Sequence, residues 1–531
     1  MSPEANQLST QSSVSPEAAR RDLIRLGLLA LLVGLITAIL AHQPGYTDAY
    51  YYLNAAARVA HGQGLTDAAL WTYVGAPPGL PAPAFLYWMP FASLLEAVSV
   101  FVLGGIVGVF HAGQVPGLIG AVALSGIGYR LGLELGGTRR SALLAGVLTI
   151  FSGFFVPYWT NTDTFAVYAV VGSLALWCIG RGRASGQTRW WIAAGVLAGL
   201  AHLTRADGLL FVMALVIAAL WGHLRSVKDG WRSAMIGVLA YVLTMLPWAI
   251  RNLNEIGSVL PVGGFQSAWF SSYDQIASYP AGASLNDFLA TGLGTMVQTR
   301  VTALTLNLQT FIAVEGLIVL TPLLLVALWR RRLEPKLGGL ILYAFGLHGL
   351  MTLVFALPGM RGGLLHSAAA LVPYWATLGI IGLDDVLKWA AKRRRWPLKQ
   401  AQDFFGLALI AWAIFFSVLV GTKLIGSWNS ANATYASIGA QLPLDAVVMV
   451  NDPPGFYYQT GLSAVVLPDS PPSVIPELTA RYNVSYLVLD ANRTEPFSSL
   501  YDDYAYYPFL RLMQDDKTTG IRVYQVLKVI P

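Results

Sequence analysis

Apolar runs of about 20 residues, separated by short polar stretches, recur along most of the 531-residue chain. The hydrocarbon core of a bilayer takes about 20 apolar residues in helical form. The pattern therefore predicts a mostly α, polytopic membrane protein. Transmembrane helices are expected near 23–41, 110–130, 141–157, 164–180, 190–205, 208–224, 233–249, 306–329, 338–357, 368–386 and 403–422, eleven in all. The apolar stretch 84–107 is different. Counting it as a span would invert every basic cluster after it, and its Pro-rich start with Tyr87 and Trp88 suits a juxtamembrane helix in the first outer loop.

After residue 430 the pattern changes. Val447–Val450 and Tyr486–Leu489 read as short buried strands bounded by turn residues, with a helical segment at Pro476–Tyr482. A small α/β domain is expected over 430–531. Residues 1–19 are polar and rich in Ser, Gln and Pro, the composition of a disordered leader. The transmembrane domain would then occupy 20–429.

Charge placement sets the orientation. Most of the 34 Lys and Arg lie in clusters at 20–25, 130–140, 181–189, 225–232, 330–336 and 388–399. The positive-inside rule assigns these to the cytoplasmic side. That gives a multi-pass protein of the cell membrane with its N-terminus inside and its C-terminal domain outside. Only 12% of residues are charged, half the share usual in soluble domains, which excludes an ordinary cytosolic enzyme. Basic residues confined to short loops argue against a nucleic-acid partner. The single cysteine, Cys178, excludes an intrachain disulfide.

Chemistry is then expected on the outer side. Arg58, Arg205, Arg251 and Arg361 fall at or near that face, together with Arg300 and Lys423. Such arginines either snorkel and pair locally or converge on a phosphate, whose oxygens the guanidinium fork grips two at a time. Asp48 opens a Tyr-rich helical pattern that includes Tyr51 and ends at Gly62. Its carboxylate either caps the helix or serves as a general base. Asp163, in TNTDTF, faces the same choice. Asp207 reads as an ion-pair partner of Arg205. His366 either donates to phosphate or is structural, and Glu315 stands inside a span with no evident partner. No HExxH or CxxC is present, so no metal is assigned, although a divalent cation bridging acids and phosphate is compatible with these residues.

The order of these motifs resembles the GT-C superfamily of integral-membrane glycosyltransferases, family 39-like, the branch of aminoarabinose transferases and protein O-mannosyltransferases. The resemblance rests on TDAYYYLNAAARVAHGQG, LPAPAFLYWMPFASLL, NTDTF, GLAHLTRADGLL and LPWAIRNLNEIG, and it spans 23–386. It implies Asp48 as catalytic base, Asp163 as a residue shaping the site, and a polyprenyl-phosphate-linked sugar as donor. The acceptor would be a lipid, a glycan or a protein, and one base attacking directly implies inversion at the sugar. The chain departs from the family at Leu-Pro-Ala-Pro, where a donor-contacting Lys is usual, and at Arg205, which replaces another Lys. The outer arginines gain weight accordingly. A transporter or flippase is the rival reading; it would call for inverted repeats with helices broken at the midplane.

Overall fold

The computed structural model describes residues 14–221, 226–261, 263–492, 494–502 and 506–527. The expected leader thus lies outside the described residues as far as 13, and Arg225 lies outside them too. Helix α1 (Pro16–Leu40) starts within the rest of the leader. Ser15 accepts a hydrogen bond from Ala18 N, Pro16 takes the first position and Glu17 the first turn. Each feature satisfies or complements free N–H groups at a helix start.

The segment between the first two long helices holds α2 (Thr47–Ala60) and α3 (Phe91–Val107). Gly62 and Gly64, both at positive φ, turn the chain after α2. Helix α3 buries Ser93, Glu96 and Ala97 while Val98, Phe101, Val102 and Ile106 stay exposed, so it presents an apolar face away from the bundle. The helical domain continues with α4 (Val115–Gly136), α5 (Arg139–Ile150), α6 (Phe165–Ser185), α7 (Thr188–Thr204), α8 (Leu209–Leu220) and α9 (Val227–Ile256). It is completed by α10 (Gly292–Thr310), α11 (Leu320–Arg330), α12 (Gly338–Leu353), α13 (Leu364–Ala368), α14 (Val372–Arg394) and α15 (Leu398–Ser430).

A helix stands at each expected span, but the count of eleven crossings is not confirmed. Among the described residues seven helices are long and apolar enough to cross a membrane, or eight if one bent pair is a single span. Helices α5 and α8 have 12 residues each, about 18 Å at 1.5 Å per residue, against a core of about 30 Å. Apolar periodicity reports burial, and these two are partly buried among their neighbours. The bent pair is α10 and α11, which meet at 96°. Between them lie a π-helical turn, Phe311–Glu315, and two residues in the left-handed region, Leu317 and Ile318. Glu315 has partners after all: His348 Nε2 at 3.0 Å and the Trp375 indole N–H at 2.8 Å.

Ion pairs tie the basic clusters together at one end of the bundle. Arg139 binds Asp22, Arg140 binds Asp384, and Arg331 binds Asp385. Glu134 takes both Arg181 and Lys336. Close helix contacts rest on small residues, as at Gly195 of α7 against Gly237 of α9, where a side chain would collide with backbone.

The C-terminal region carries α16 (Pro453–Thr460) and α17 (Ile475–Tyr482) beside strands β4 (Val448–Val450), β5 (Ala464–Val466), β6 (Tyr486–Leu489), β7 (Leu510–Asp516) and β8 (Ile521–Val526). The segment between α2 and α3 supplies three short strands: β1 (Thr66–Asp67), β2 (Ala69–Leu70) and β3 (Ala82–Pro83). Strands β1 and β3 pair with each other, whereas β2 joins the C-terminal sheet in the order β2-β5-β4-β6-β8-β7. It runs parallel to β5, with Ala69 opposite Ala464 and Leu70 opposite Val465. The sheet therefore draws on two distant parts of the chain.

Candidate active site

Three segments meet at the opposite end of the bundle from the basic clusters: the start of α2, the loop before α6, and the short helix α13. Helix α2 has Tyr46 as its N-cap and no side-chain capping bond. Asp48 sits in the first turn without acting as a cap. The loop before α6 is stitched to the same place, because Asn161 Nδ2 donates to Pro44 O at 2.9 Å and Thr162 Oγ1 to Ala49 O at 3.1 Å. Helix α13 follows a π-helical turn, Gly359–Gly363, in which Gly362 adopts φ +121. That backbone favours glycine, and it delivers Arg361, His366 and Ser367 within one short stretch.

The centre is a cluster of Asp48, Asp163 and His366, with one ligand atom from each lying within 4.8 Å of the others. His366 Nε2 is 3.0 Å from Asp163 Oδ2 and 3.8 Å from Asp48 Oδ2. Phe165 stacks on the imidazole at 4.1 Å and holds its plane. The two carboxylates differ. Asp163 is fully buried and receives Tyr46 OH at 2.8 Å, Thr164 Oγ1 at 3.0 Å and the Thr164 backbone N–H. Burial pushes its pKa up, but the charge of His366 and these hydrogen bonds outweigh that, leaving it below the usual carboxylate range. Asp48 receives no hydrogen bond from the described residues, and 28% of its side chain is accessible. Its pKa is raised to about 6, first by burial and then by the charge of Asp163, against the pull of His366 and Arg205.

The imidazole indicates what this cluster can hold. His366 Nδ1 faces Gly362 O at 2.9 Å, and a carbonyl can only accept. With Nδ1 protonated, Nε2 either carries a second proton, making an imidazolium that bridges the acids, or offers its lone pair to a cation. Two carboxylates and one neutral nitrogen, with the other nitrogen anchored to backbone, form a donor set that fits a divalent metal.

The arginines divide into two groups. Arg205 is close enough for its charge to be felt at Asp48, Tyr52 and Tyr87, and its Nε lies 3.3 Å from Asp207 Oδ1. Arg361 lies over the ring of Tyr273 at 5.4 Å, and Tyr273 in turn feels Asp48. Arg205 thus borders the cluster, and Arg361 is linked to it through Tyr273. Arg58 is occupied by Thr66 and Tyr457 OH, and Arg251 by Leu65 O and Asn252 Oδ1 beneath a cation–π contact with Trp248. Arg300 reaches Leu353 O. None of these three contacts the acid cluster. Tyr51 is also turned away: its hydroxyl accepts Phe85 N at 2.8 Å inside a nest of Trp71, Phe85 and Trp88.

Sequence reasoning missed Tyr46, Ser367 and Asp452. The last comes from the C-terminal region, at the start of α16. It accepts Asn432 Nδ2 at 2.7 Å, and its charge reaches Asp48. Around it α16 grips α2: Asn54 Nδ2 donates to Pro454 O at 2.9 Å, and Tyr50 packs on Tyr458 at 5.1 Å.

Residues 97–249 match the family described as dolichyl-phosphate-mannose-protein mannosyltransferase. The chain is similar in structure to ArnT from Cupriavidus metallidurans bound to undecaprenyl phosphate, with TM-score 0.57 and 13% identity over 94% of this chain and 97% of that one. It is also similar to the archaeal oligosaccharyltransferase AglB from Archaeoglobus fulgidus in complex with an inhibitory peptide and a dolichol-phosphate, with TM-score 0.55 and 13% identity over 96% and 75% of the two chains. No curated protein sequence matches significantly. At this identity the two structures establish a shared fold.

Proposed function

We propose that this chain is a membrane glycosyltransferase of the GT-C type, and that it transfers a sugar from a polyprenyl-phosphate donor to an acceptor hydroxyl at the outer face of the membrane, with Asp48 as general base. The observation that carries this reading is the inequality of the two acids. Asp163 has its lone pairs occupied by fixed donors, whereas Asp48 stands unbonded and partly accessible beside it.

Each group then has one task. Asp48 takes the proton of the acceptor hydroxyl, and its raised pKa strengthens it as a base near neutral pH. The acceptor oxygen bonds to the anomeric carbon as the bond from that carbon to the phosphate oxygen breaks. The electron pair leaves with the polyprenyl phosphate. Attack opposite the leaving group inverts the anomeric centre. Asp163, held by Tyr46 and Thr164, fixes His366 and keeps a negative charge beside Asp48. Arg205, which borders the site, and Arg361, linked to it through Tyr273, stabilise charge developing on the departing phosphate. A divalent cation would be held by Asp48, Asp163 and His366 Nε2, and its contribution would be Lewis-acid stabilisation of phosphate oxygens. The prenyl chain needs only apolar surface, at about 0.8 kcal/mol per buried methylene.

Purified protein incubated with a panel of polyprenyl-phosphate sugars tests the reading. The expected result is release of free polyprenyl phosphate from one of them, dependent on acceptor and lost in Asp48→Asn. Release from none, or release that survives Asp48→Asn, overturns it.

A further inference from the structure

Arg205 is held along one edge. Its Nε lies 3.3 Å from Asp207 Oδ1 and 3.3 Å from Ser367 Oγ. The Ser367 hydroxyl donates in turn to Asp207 Oδ2, so serine, aspartate and the Nε edge close a small ring of polar contacts. Ser367 is fully buried. Its backbone carbonyl accepts Tyr343 OH at 3.0 Å, and Tyr343 OH pairs with Tyr168 OH at 2.9 Å. Tyr343 is itself stacked on Phe211 at 4.1 Å. The ring thus rests on α6, α8 and α12 rather than on a mobile loop.

The other side of the guanidinium is free. Among the described residues neither Nη1 nor Nη2 of Arg205 has a hydrogen-bonding or ion-pair partner, and 14% of the side chain remains accessible. A guanidinium pinned through Nε presents its two Nη groups as a preset fork. That geometry matches two oxygens of one phosphate, with little rotamer entropy left to lose on binding.

We propose that Ser367 is a positioning residue, which with Asp207 locks Arg205 by its Nε edge so that the Nη fork receives the phosphate of the lipid-linked donor. The proposal rests on the reading of Arg205 as a phosphate contact. Ser367 follows His366 directly on α13, so one helical turn sets both the imidazole beside the acids and the guanidinium aimed at the leaving group.

Binding of undecaprenyl phosphate and of neutral undecaprenol to the full-length protein in nanodiscs separates these claims. Arg205→Ala should weaken the phosphate ligand by at least tenfold and leave undecaprenol unchanged. An unchanged phosphate affinity in Arg205→Ala removes the underlying reading. Ser367→Ala should weaken the phosphate ligand by about five- to tenfold, the usual net size of one lost hydrogen bond, again without effect on undecaprenol. Added to Arg205→Ala it should cost nothing further, since coupled residues are not additive. Loss in Arg205→Ala with full affinity in Ser367→Ala, equal loss for both ligands, or an additive double variant each overturns the positioning role. Should Ser367→Ala fold poorly, Ser367→Cys, which keeps the volume but lacks a strong hydroxyl donor, carries the same expectations.

Discussion

Asp48 and Asp163 flank the same imidazole nitrogen, at 3.8 and 3.0 Å, yet among the described residues only Asp163 is hydrogen bonded. Two acids of one chemical type are thereby given different states by their surroundings. Asp163 is held in its charged form by donors. Asp48 is left short of donors and next to a negative charge.

Asp48→Asn should therefore abolish transfer while sparing the fold. Loss of a general base costs about 10²- to 10⁴-fold. No hydrogen bond from the described residues is lost with the carboxylate, so thermal unfolding should stay within a degree or two of wild type. Turnover and melting temperature measured on the same preparation check both halves.

The pH dependence follows from the sign of the Asp48 shift. The base form is needed, and its pKa is raised to about 6. Transfer should rise with pH through about 6 and level off above it. The charge of Asp163 is one cause of that rise, so Asp163→Asn should move the acid limb of whatever activity remains to lower pH. A limb that stays in place, or moves upward, contradicts the assignment.

Asp163→Asn should also destabilise the protein. It removes a buried charge paired with His366 and weakens the bond from Tyr46, changes that cost about 3 kcal/mol or more. Because the folded pKa of Asp163 lies below the ordinary value near 3.8, its contribution is present above that value. It is lost as pH falls through the lower folded pKa. The stability gap between wild type and variant should be full at pH 7 and close on strong acidification. Tyr46→Phe should lose about 1 kcal/mol.

Arg361→Ala and Arg251→Ala should part company. Arg361 reaches the site through Tyr273 and, among the described residues, makes only that ring contact, so its loss should raise the KM for donor by about tenfold or more. Arg251 is spent on Leu65 O, Asn252 and Trp248. Its loss should lower stability and leave the donor KM near wild type.

Much of this site was legible in the sequence, for definite reasons. Asp48 and Asp163 each sit beside the end of an apolar run on the side without basic clusters, and that placement alone puts them near the same surface. His366 and Arg205 share it. What the sequence could not supply is direction. Tyr50, Tyr51 and Tyr52 are consecutive and so point about 100° apart around α2; nothing local says that Tyr51 faces Phe85 and Trp88. Arg58 and Arg251 occupy plausible positions but turn toward backbone carbonyls, which have no signature in sequence. Tyr46 and Ser367 work through partners more than a hundred residues away. The count of eleven spans is not confirmed: α5 and α8, at 12 residues each, are among the expected spans too short to cross alone.

Strand β2 has a consequence for anyone cutting this protein apart. A fragment beginning near residue 430 would leave the flank of Ala464–Val466 without its neighbour from 69–70, a bare ribbon of amide groups that invites self-association. Crystallisation or grafting of that region calls for carrying 64–83 along as a tethered cover, since the boundary natural to the backbone runs through the first loop rather than beside the last helix.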